Sequence, residues 1–311
     1  QNADWFVLEH FCFRRILAAV DYWRTKIDPF APAKARELAS PALAQQVDPL
    51  LEAPGESGRD PEFDPFAQRL CFGLWGNRMD LSHSESMSHA GAAHHDDSLI
   101  IDESSAVWKI ARKLTAPVHF VCDNAGTELA ADLCLADWLI RTRATPVNLH
   151  VKAHPTFVGD ATEDDVHALI DQLGSPAAST VRRELAARLV AWLNAGELHI
   201  VPDLFWNSPL FFNDLPDRIL TPFAEAGLII IKGDMNYRRL LGDKIVPNTD
   251  PLSAWAPPMP APTVMLRAMK GDPIAGLDPA RLNALDREHP GWRTAGKHGV
   301  IQVLMPENRA P

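Results

Sequence analysis

Thiols, tyrosines and long apolar runs are all scarce in this chain of 311 residues. Its four cysteines, Cys12, Cys71, Cys122 and Cys134, show no Cys-x-x-Cys spacing. That pattern speaks against a zinc ribbon or disulfide framework and fits reduced, mostly buried thiols in a cytoplasmic protein. No stretch reaches roughly 18 uninterrupted apolar residues, so no membrane-spanning helix is expected. The opening QNADWFVLEHFCFRR lacks a basic segment followed by an apolar one, and reads as a folded helix rather than a secretion signal. Positive charge is short as well: 30 Lys and Arg stand against 40 Asp and Glu, a net charge of −10. Non-specific nucleic-acid binding needs a basic patch to displace counterions, so that class is excluded. An anionic small molecule is not, because a metal and a few local cations can reverse the field inside one cleft.

What is present in quantity is apolar side chain, 46% of the residues, enough for one large domain or a core with an attached subdomain. Residues 4–24 carry helical spacing. Trp5, Leu8, Cys12, Ile16 and Ala19 form one apolar stripe; Phe6, Phe13, Leu17 and Val20 extend it. Glu9 sits on the second stripe, where a carboxylate is costly unless paired or coordinated; a salt bridge to Arg14 or Arg15 is the structural alternative. A second helix is expected over 33–46. The stretch 52–65, rich in Pro, Gly and acid, reads as a surface loop, as does the polar segment 83–98. His83, His89, His94 and His95 in the latter match no familiar closed zinc site.

From about residue 104 helices alternate with short apolar runs. Strands are expected at 118–122, 147–151, 198–201, 228–232, 264–267 and 300–304. Helices are expected over 128–143, from near Glu163, over 181–194 and from Asn236. The run LIIIK at 228–232 suits a strand buried on both faces. This alternation predicts an α/β fold: a three-layer α/β/α core with a mostly parallel sheet over 101–311, and an N-terminal helical subdomain over 1–100 packed on it.

Parallel sheets bind ligands at the carboxyl ends of their strands. Three such ends carry an aspartate here: Asp123-Asn124 after VHFVC, Asp160 in the loop KAHPTFVGDAT, and Asp234 in KGDMNYRR. Each alone is an ordinary helix cap or turn residue; their recurrence after apolar strands is what points to a site. Asp and Asn offer hard oxygen ligands suited to Mg or Mn. Lys232, Arg238, Arg239, Arg267 and Lys270 lie near the same ends, and position favours Arg238 and Lys270 as phosphate contacts. Asn77, in LWGNRMDLS, is a further polar candidate whose structural alternative is a turn.

The segments DNAGTELAADLCLADWL, KAHPTFVGDAT, KGDMNYRRLLGD and LRAMKGDPIAGL occur in this order. Together with WFVLEHFCFRRI, LWGNRMDLS and WRTAGKHGVIQ, they resemble the DUF89 damage-control phosphatase family, in particular its ARMT1-like, sugar-phosphate branch. The resemblance covers essentially the whole chain. It implies one divalent metal ion (Mn, with Co, Ni or Mg as substitutes) on Asp123, Asn124 and Asp160. It also implies substrate contacts from Asp123, Asn124, Asp234, Asn236, Arg238 and Lys270, and a pocket-facing Glu9. Met235 where leucine is usual, and MKGDP where LKAD is typical, leave every charged group in place.

The implied reaction is hydrolysis of a small phosphomonoester, such as a hexose or pentose phosphate. Asp123, Asp234 and Lys270 are the expected catalytic groups, and a water or Asp123 itself is the nucleophile. DNAGT lacks the second Asp of the DxDx(T/V) phosphatases, which sets that class aside. Carboxyl methyl transfer from S-adenosylmethionine, also associated with this branch, is the competing activity. It is disfavoured by the single glycine between Asp123 and Gly126, where such enzymes usually carry a glycine-rich loop. A non-catalytic sugar-phosphate sensor is disfavoured by the intact set of polar groups.

Overall fold

The structure, a computed structural model, describes residues 4–52, 62–76 and 98–306. Asn77, the segment 83–97 with its four histidines, and residues 53–61 of the expected loop lie outside that set.

In LIIIK every residue is buried, and the reason is visible in the packing. Leu228 and Ile230 join one hydrophobic cluster; Ile229 and Ile231 join a second. Side chains alternate across a strand, so two clusters along one strand mean two covered faces. This strand, β5 (Leu228–Lys232), is central in a seven-stranded sheet. The others are β1 (Leu99–Asp102), β2 (Val118–Val121), β3 (Val147–Lys152), β4 (Leu198–Asp203), β6 (Thr263–Ala268) and β7 (Gly299–Leu304), in the order β1-β7-β6-β5-β2-β3-β4. β6, β5, β2, β3 and β4 are mutually parallel; β7 runs antiparallel to β6 and pairs in parallel with β1.

Helices complete the layers. α1 (Trp5–Ala19), α2 (Tyr22–Thr25), α3 (Ala31–Leu38), α4 (Pro41–Glu52) and α5 (Phe63–Trp75) precede the sheet. α6 (Ser104–Ala111), α7 (Thr127–Arg143), α8 (Glu163–Leu173), α9 (Thr180–Ala195), α10 (Asp217–Ala224), α11 (Asp234–Leu240) and α12 (Pro279–Glu288) alternate with its strands. Residues of α4 to α9 fill the first cluster, and residues of α10, α11 and α12 fill the second. Phe66 and Leu70 of α5 share the first cluster with Phe120, Leu149 and Leu266 of the sheet.

The chain winds outward through β2, β3 and β4, then returns to the other side of β2 with β5 and β6. Strand order therefore reverses between β2 and β5, whose carboxyl ends open a crevice. Asp123 and Asp234 follow those two strands directly.

Three local expectations are corrected, and one strand was not foreseen. The helix expected over 4–24 breaks at Asp21, which adopts a left-handed φ of 50°. The helix expected over 33–46 is two, because Pro41 begins a new one after Ala39 and Ser40. On α1 the buried side is Phe6, His10 and Leu17, whereas Trp5, Leu8, Cys12 and Ile16 face solvent. Helical spacing alone does not say which apolar stripe meets the core. β1, four residues long, carries too little pattern to be read in advance.

Candidate functional site

β2 delivers Asp123 and Asn124 into a turn that ends at Gly126, the N-cap of α7. A second segment is clipped to this turn through the backbone. The Ala125 amide donates to the Gly159 carbonyl at 2.7 Å, and the Ala161 amide donates to the Asp123 carbonyl at 2.8 Å. Asn124 and Asp160 form an isolated antiparallel bridge between these bonds. Gly159 leaves room for the Asn124 side chain, since a Cβ there would sit 2.6 Å from Asn124 Oδ1 and displace that oxygen. Two residues on, Thr162 caps α8 through a reciprocal pair with Asp165, which fixes the loop that carries Asp160.

The two carboxylates are buried, Asp123 at 7% and Asp160 at 3% exposure. Burial holds the Asp123 carboxyl well above the usual range, and the charges of Glu128 and Asp160 push it further; Lys270 and Lys152 pull it back. Asp160 is raised for the same first reason and opposed chiefly by Lys152. Lys152 Nζ lies 3.2 Å from Asp160 Oδ2, yet off hydrogen-bond geometry, and neither atom has a hydrogen-bond partner. Asn124 donates through Nδ2 to Asp123 Oδ2 at 2.9 Å and to Glu128 Oε2 at 3.0 Å. Two carboxylate acceptors on one side of an amide define which end is nitrogen, and leave Oδ1 as the available donor atom.

Across the crevice, Gly233 follows β5 with φ +85°, a left-handed value. A Cβ on it would lie 2.1 Å from Asp123 Oδ2, so only glycine lets β5 pass beneath that carboxylate. Asp234 comes next. Its Oδ1 accepts from Arg267 Nε at 2.8 Å and from the Lys270 amide at 3.0 Å. Arg267 is fully buried, also donates to the Gly271 and Pro273 carbonyls, and stacks on the Tyr237 ring at 4.3 Å. A cavity of about 310 Å³ lies between the two strand ends. Asp123, Asn124, Glu128, Asp234 and Lys270 supply its polar wall; Leu74, Trp75 and Ala268 supply the apolar one.

The remaining sequence candidates lie elsewhere. Asp160 is bridged to Asn124 through the backbone and is not among the residues that line the cavity. Asn236 is fully buried under the site and donates to the Lys232 carbonyl at 2.9 Å. Arg238 makes a bidentate pair with Asp243 at 2.7 and 3.0 Å and bonds Glu9 at 3.0 Å. Glu9 thus pairs across the fold with Arg238, not with Arg14 or Arg15. Arg239 is fully buried and donates to the carbonyls of Ser208 and Leu210.

Among the described residues, no group of three or more His, Cys, Asp and Glu side chains is poised as metal ligands. The Asp123, Asn124, Asp160 set has two carboxylates and an amide oxygen, so it falls outside such a group by composition. Its donor chemistry nevertheless fits a hard divalent cation. Acidic groups crowd together, the Asp160 Oδ2 atom is buried without a hydrogen-bond partner, and Asn124 Oδ1 is left over by its own amide nitrogen.

Sequence reading missed Glu128, Asp132, Lys152 and the anchoring role of Lys232, Arg267 and Gly233. A faint signal existed: polar residues recur four apart at Asn124, Glu128 and Asp132, the last two acids on a helix that opens shortly after a strand. In the first turn of a helix, however, an acid is also what the macrodipole favours.

Fold and crevice together define a doubly wound α/β protein with a hard-donor, acid-rich cleft at its topological switch point. Residues 2–285 match the family model of the damage-control phosphatase ARMT1-like domain, and the chain belongs to this family. Damage-control phosphatase ARMT1 of mouse is 32% identical over 262 residues, spanning 78% of this chain and 60% of the mouse protein. The zebrafish (Danio rerio) protein of that name is 30% identical over 337 aligned positions, 98% of this chain and 74% of its own. The human one is 29% identical, over 98% and 75%. The chain thus spans about 60% of the length of the mouse relative. A crystal structure of a DUF89 family protein from Pyrococcus horikoshii aligns with TM-score 0.48 and 15% identity, over 90% of this chain and 75% of that one.

Proposed function

We propose that this chain is a metal-dependent phosphatase acting on small phosphomonoesters, with sugar phosphates as the substrate class. The observation that carries the reading is the backbone clip that sets Asp160 beside Asp123-Asn124 at the switch point, with Asp123, Asn124, Asp234 and Lys270 lining one cavity. Family membership supports it, as does the phosphatase activity for which the mouse and zebrafish relatives are named.

Asp123, Asn124 and Asp160 would hold one divalent cation, with Mn the first choice and Co, Ni or Mg as substitutes. When bound, that cation supplies charge neutralisation on the transferring phosphoryl group, the assistance that phosphoryl transfer chiefly needs. Lys270, on the cavity wall, contributes a point charge for a phosphate oxygen. Asp234, its Oδ1 occupied by Arg267 and the Lys270 amide, keeps Oδ2 as the acceptor for a substrate hydroxyl. Arg238 joins the phosphate only by exchanging its contacts with Asp243 or Glu9. Leu74 and Trp75 limit water on one side of the cleft. Residence in the cytoplasm belongs to the same reading and rests on four free cysteines. Among the described residues no helix is long and apolar enough to cross a membrane.

The test is phosphate release from a panel of hexose and pentose phosphates, with and without Mn, Co, Ni or Mg, beside Asp123→Ala. Metal-dependent release that Asp123→Ala loses by more than about 100-fold is the expected result, a loss above that typical of outer-shell changes. No release across the panel overturns the proposal. Methyl transfer from S-adenosylmethionine without phosphate release would put the rival activity in its place. Binding of sugar phosphate without turnover would leave a sensor.

A further inference from the structure

Lys232 ends β5 and is fully buried, yet it is not on the cavity wall. Its Nζ donates to Asp132 Oδ1 at 2.7 Å and lies 3.2 Å from Glu128 Oε1. The other Glu128 oxygen, Oε2, accepts from Asn124 Nδ2 at 3.0 Å, and that same nitrogen reaches Asp123 Oδ2 at 2.9 Å. A continuous chain of contacts therefore runs from a buried ammonium to the amide of a residue assigned to the metal. From these contacts we infer that Lys232 and Glu128 are positioning residues for the metal site: Lys232 fixes Glu128, and Glu128 holds the Asn124 amide with its oxygen turned to the cation. The inference rests on the metal-site reading above.

The physical need is specific. A carboxamide has nearly the same shape after a half turn about its last torsion, but its oxygen and nitrogen exchange places. A metal ligand with that freedom can turn its nitrogen, which does not bind a cation, to the place where its oxygen is needed. Two carboxylate oxygens on Nδ2 remove the ambiguity, because the flipped amide would set its carbonyl lone pairs against two anions. Asp123 belongs to the metal set and is drawn toward the cation, so the orienting carboxylate independent of the metal is Glu128. Glu128 in turn needs a cation, since its side chain is only 12% exposed and faces Asp123. Lys232 serves because β5 and α7 bring it there, and Asp132, one turn further along α7, holds its ammonium from the other side. Outer-shell groups of this kind orient first ligands and influence metal affinity by about 10–100-fold.

Two other roles are separable from this one. If Lys232 only compensates Asp132, its loss lowers stability and leaves metal affinity alone. If Glu128 is itself a ligand, its loss adds to that of Asn124. The experiment is titration calorimetry of Mn²⁺ into the full chain and into Asn124→Ala, Glu128→Ala, the double variant and Lys232→Met. Circular dichroism melting of each protein checks the fold. The inference expects Glu128→Ala to weaken Mn²⁺ by about 10–100-fold. It expects the double variant to bind no more weakly than Asn124→Ala, within about 2-fold, because the two act as one unit. Lys232→Met should reproduce the Glu128→Ala loss, and Lys232→Arg should recover part of it. Additive losses in the cycle, or Glu128→Ala binding like the unsubstituted protein, overturn the inference. Should Lys232→Met not fold, the Asn124/Glu128 cycle decides by itself. An unsubstituted protein that binds none of Mn, Co, Ni or Mg removes the metal reading, and this inference with it. Binding with an additive cycle removes the inference alone.

Discussion

β2 carries two buried polar groups that solve burial in opposite ways. At its carboxyl end, Asp123 lies among Asn124, Glu128 and Asp160, with Lys232 at the end of the next strand, so several ionisable groups crowd together. In its middle, His119 stacks on His150 of β3 with ring centroids 5.1 Å apart and Nδ1 to Nε2 at 2.8 Å. Edges of Phe223 and Trp206 close around the pair. Burial lowers His119 to about 4, and burial together with the neighbouring ring lowers His150 to about 3. The histidines are therefore neutral at pH 7 and need one hydrogen bond between them. The strand-end charges need a partner for every sign. The lesson is that this sheet tolerates buried ionised groups only where the switch point brings many of them together.

The largest break should come from removing one partner on the charged side. Arg267→Met leaves Asp234 facing a cavity wall without its guanidinium, a type of loss worth about 3–5 kcal/mol for a buried pair. Chemical denaturation should show that destabilisation, and the KM for a sugar phosphate should rise. A midpoint unchanged within error would show that Asp234 does not depend on this pair.

Gly233→Ala tests the same crevice through the backbone. The positive φ alone costs a residue with a side chain about 1–3 kcal/mol. The overlap with Asp123 then displaces a proposed ligand. Loss of Mn²⁺ affinity beyond the loss of stability is expected; equal activity and affinity would show that β5 does not constrain Asp123.

The smallest effect separates the two regions by pH. A histidine whose folded pKa lies below the unfolded 6.5 contributes stability that is present above pH 6.5 and lost as pH falls toward about 4. For His119 this amounts to about 2 kcal/mol between pH 7 and pH 5. Asp132 works the other way. Burial raises it to about 7, so its cost is present at higher pH and relieved as pH falls from 7 toward 4. Replacing both histidines by glutamine should therefore make stability rise, relative to the unsubstituted protein, on going from pH 7 to pH 5. Parallel pH profiles of melting temperature would show that the pair is not buried neutral.

Much of the frame was legible beforehand because its signals are local. LIIIK is a strand from Leu228 to Lys232 as read, since a short apolar run bounded by Gly227 and Gly233 has no amphipathic alternative. VHFV and the DN pair after it were legible for the same reason, as was the long α7. The strand β1 and the buried side of α1 were not, because each depends on what packs opposite, and the helix start at Pro41 was a local signal passed over.

The site divides along the same line. Sequence by itself determined which strands end in Asp123, Asp160 and Asp234, because an apolar run followed by a polar turn is a property of consecutive residues. Tertiary structure alone decided that Lys232 meets Asp132, 100 residues away in the chain, and that Arg238 meets Glu9, 229 residues away. Charge pairing acts through space, at distances set by how helices and strands stack, and no spacing along the chain encodes it.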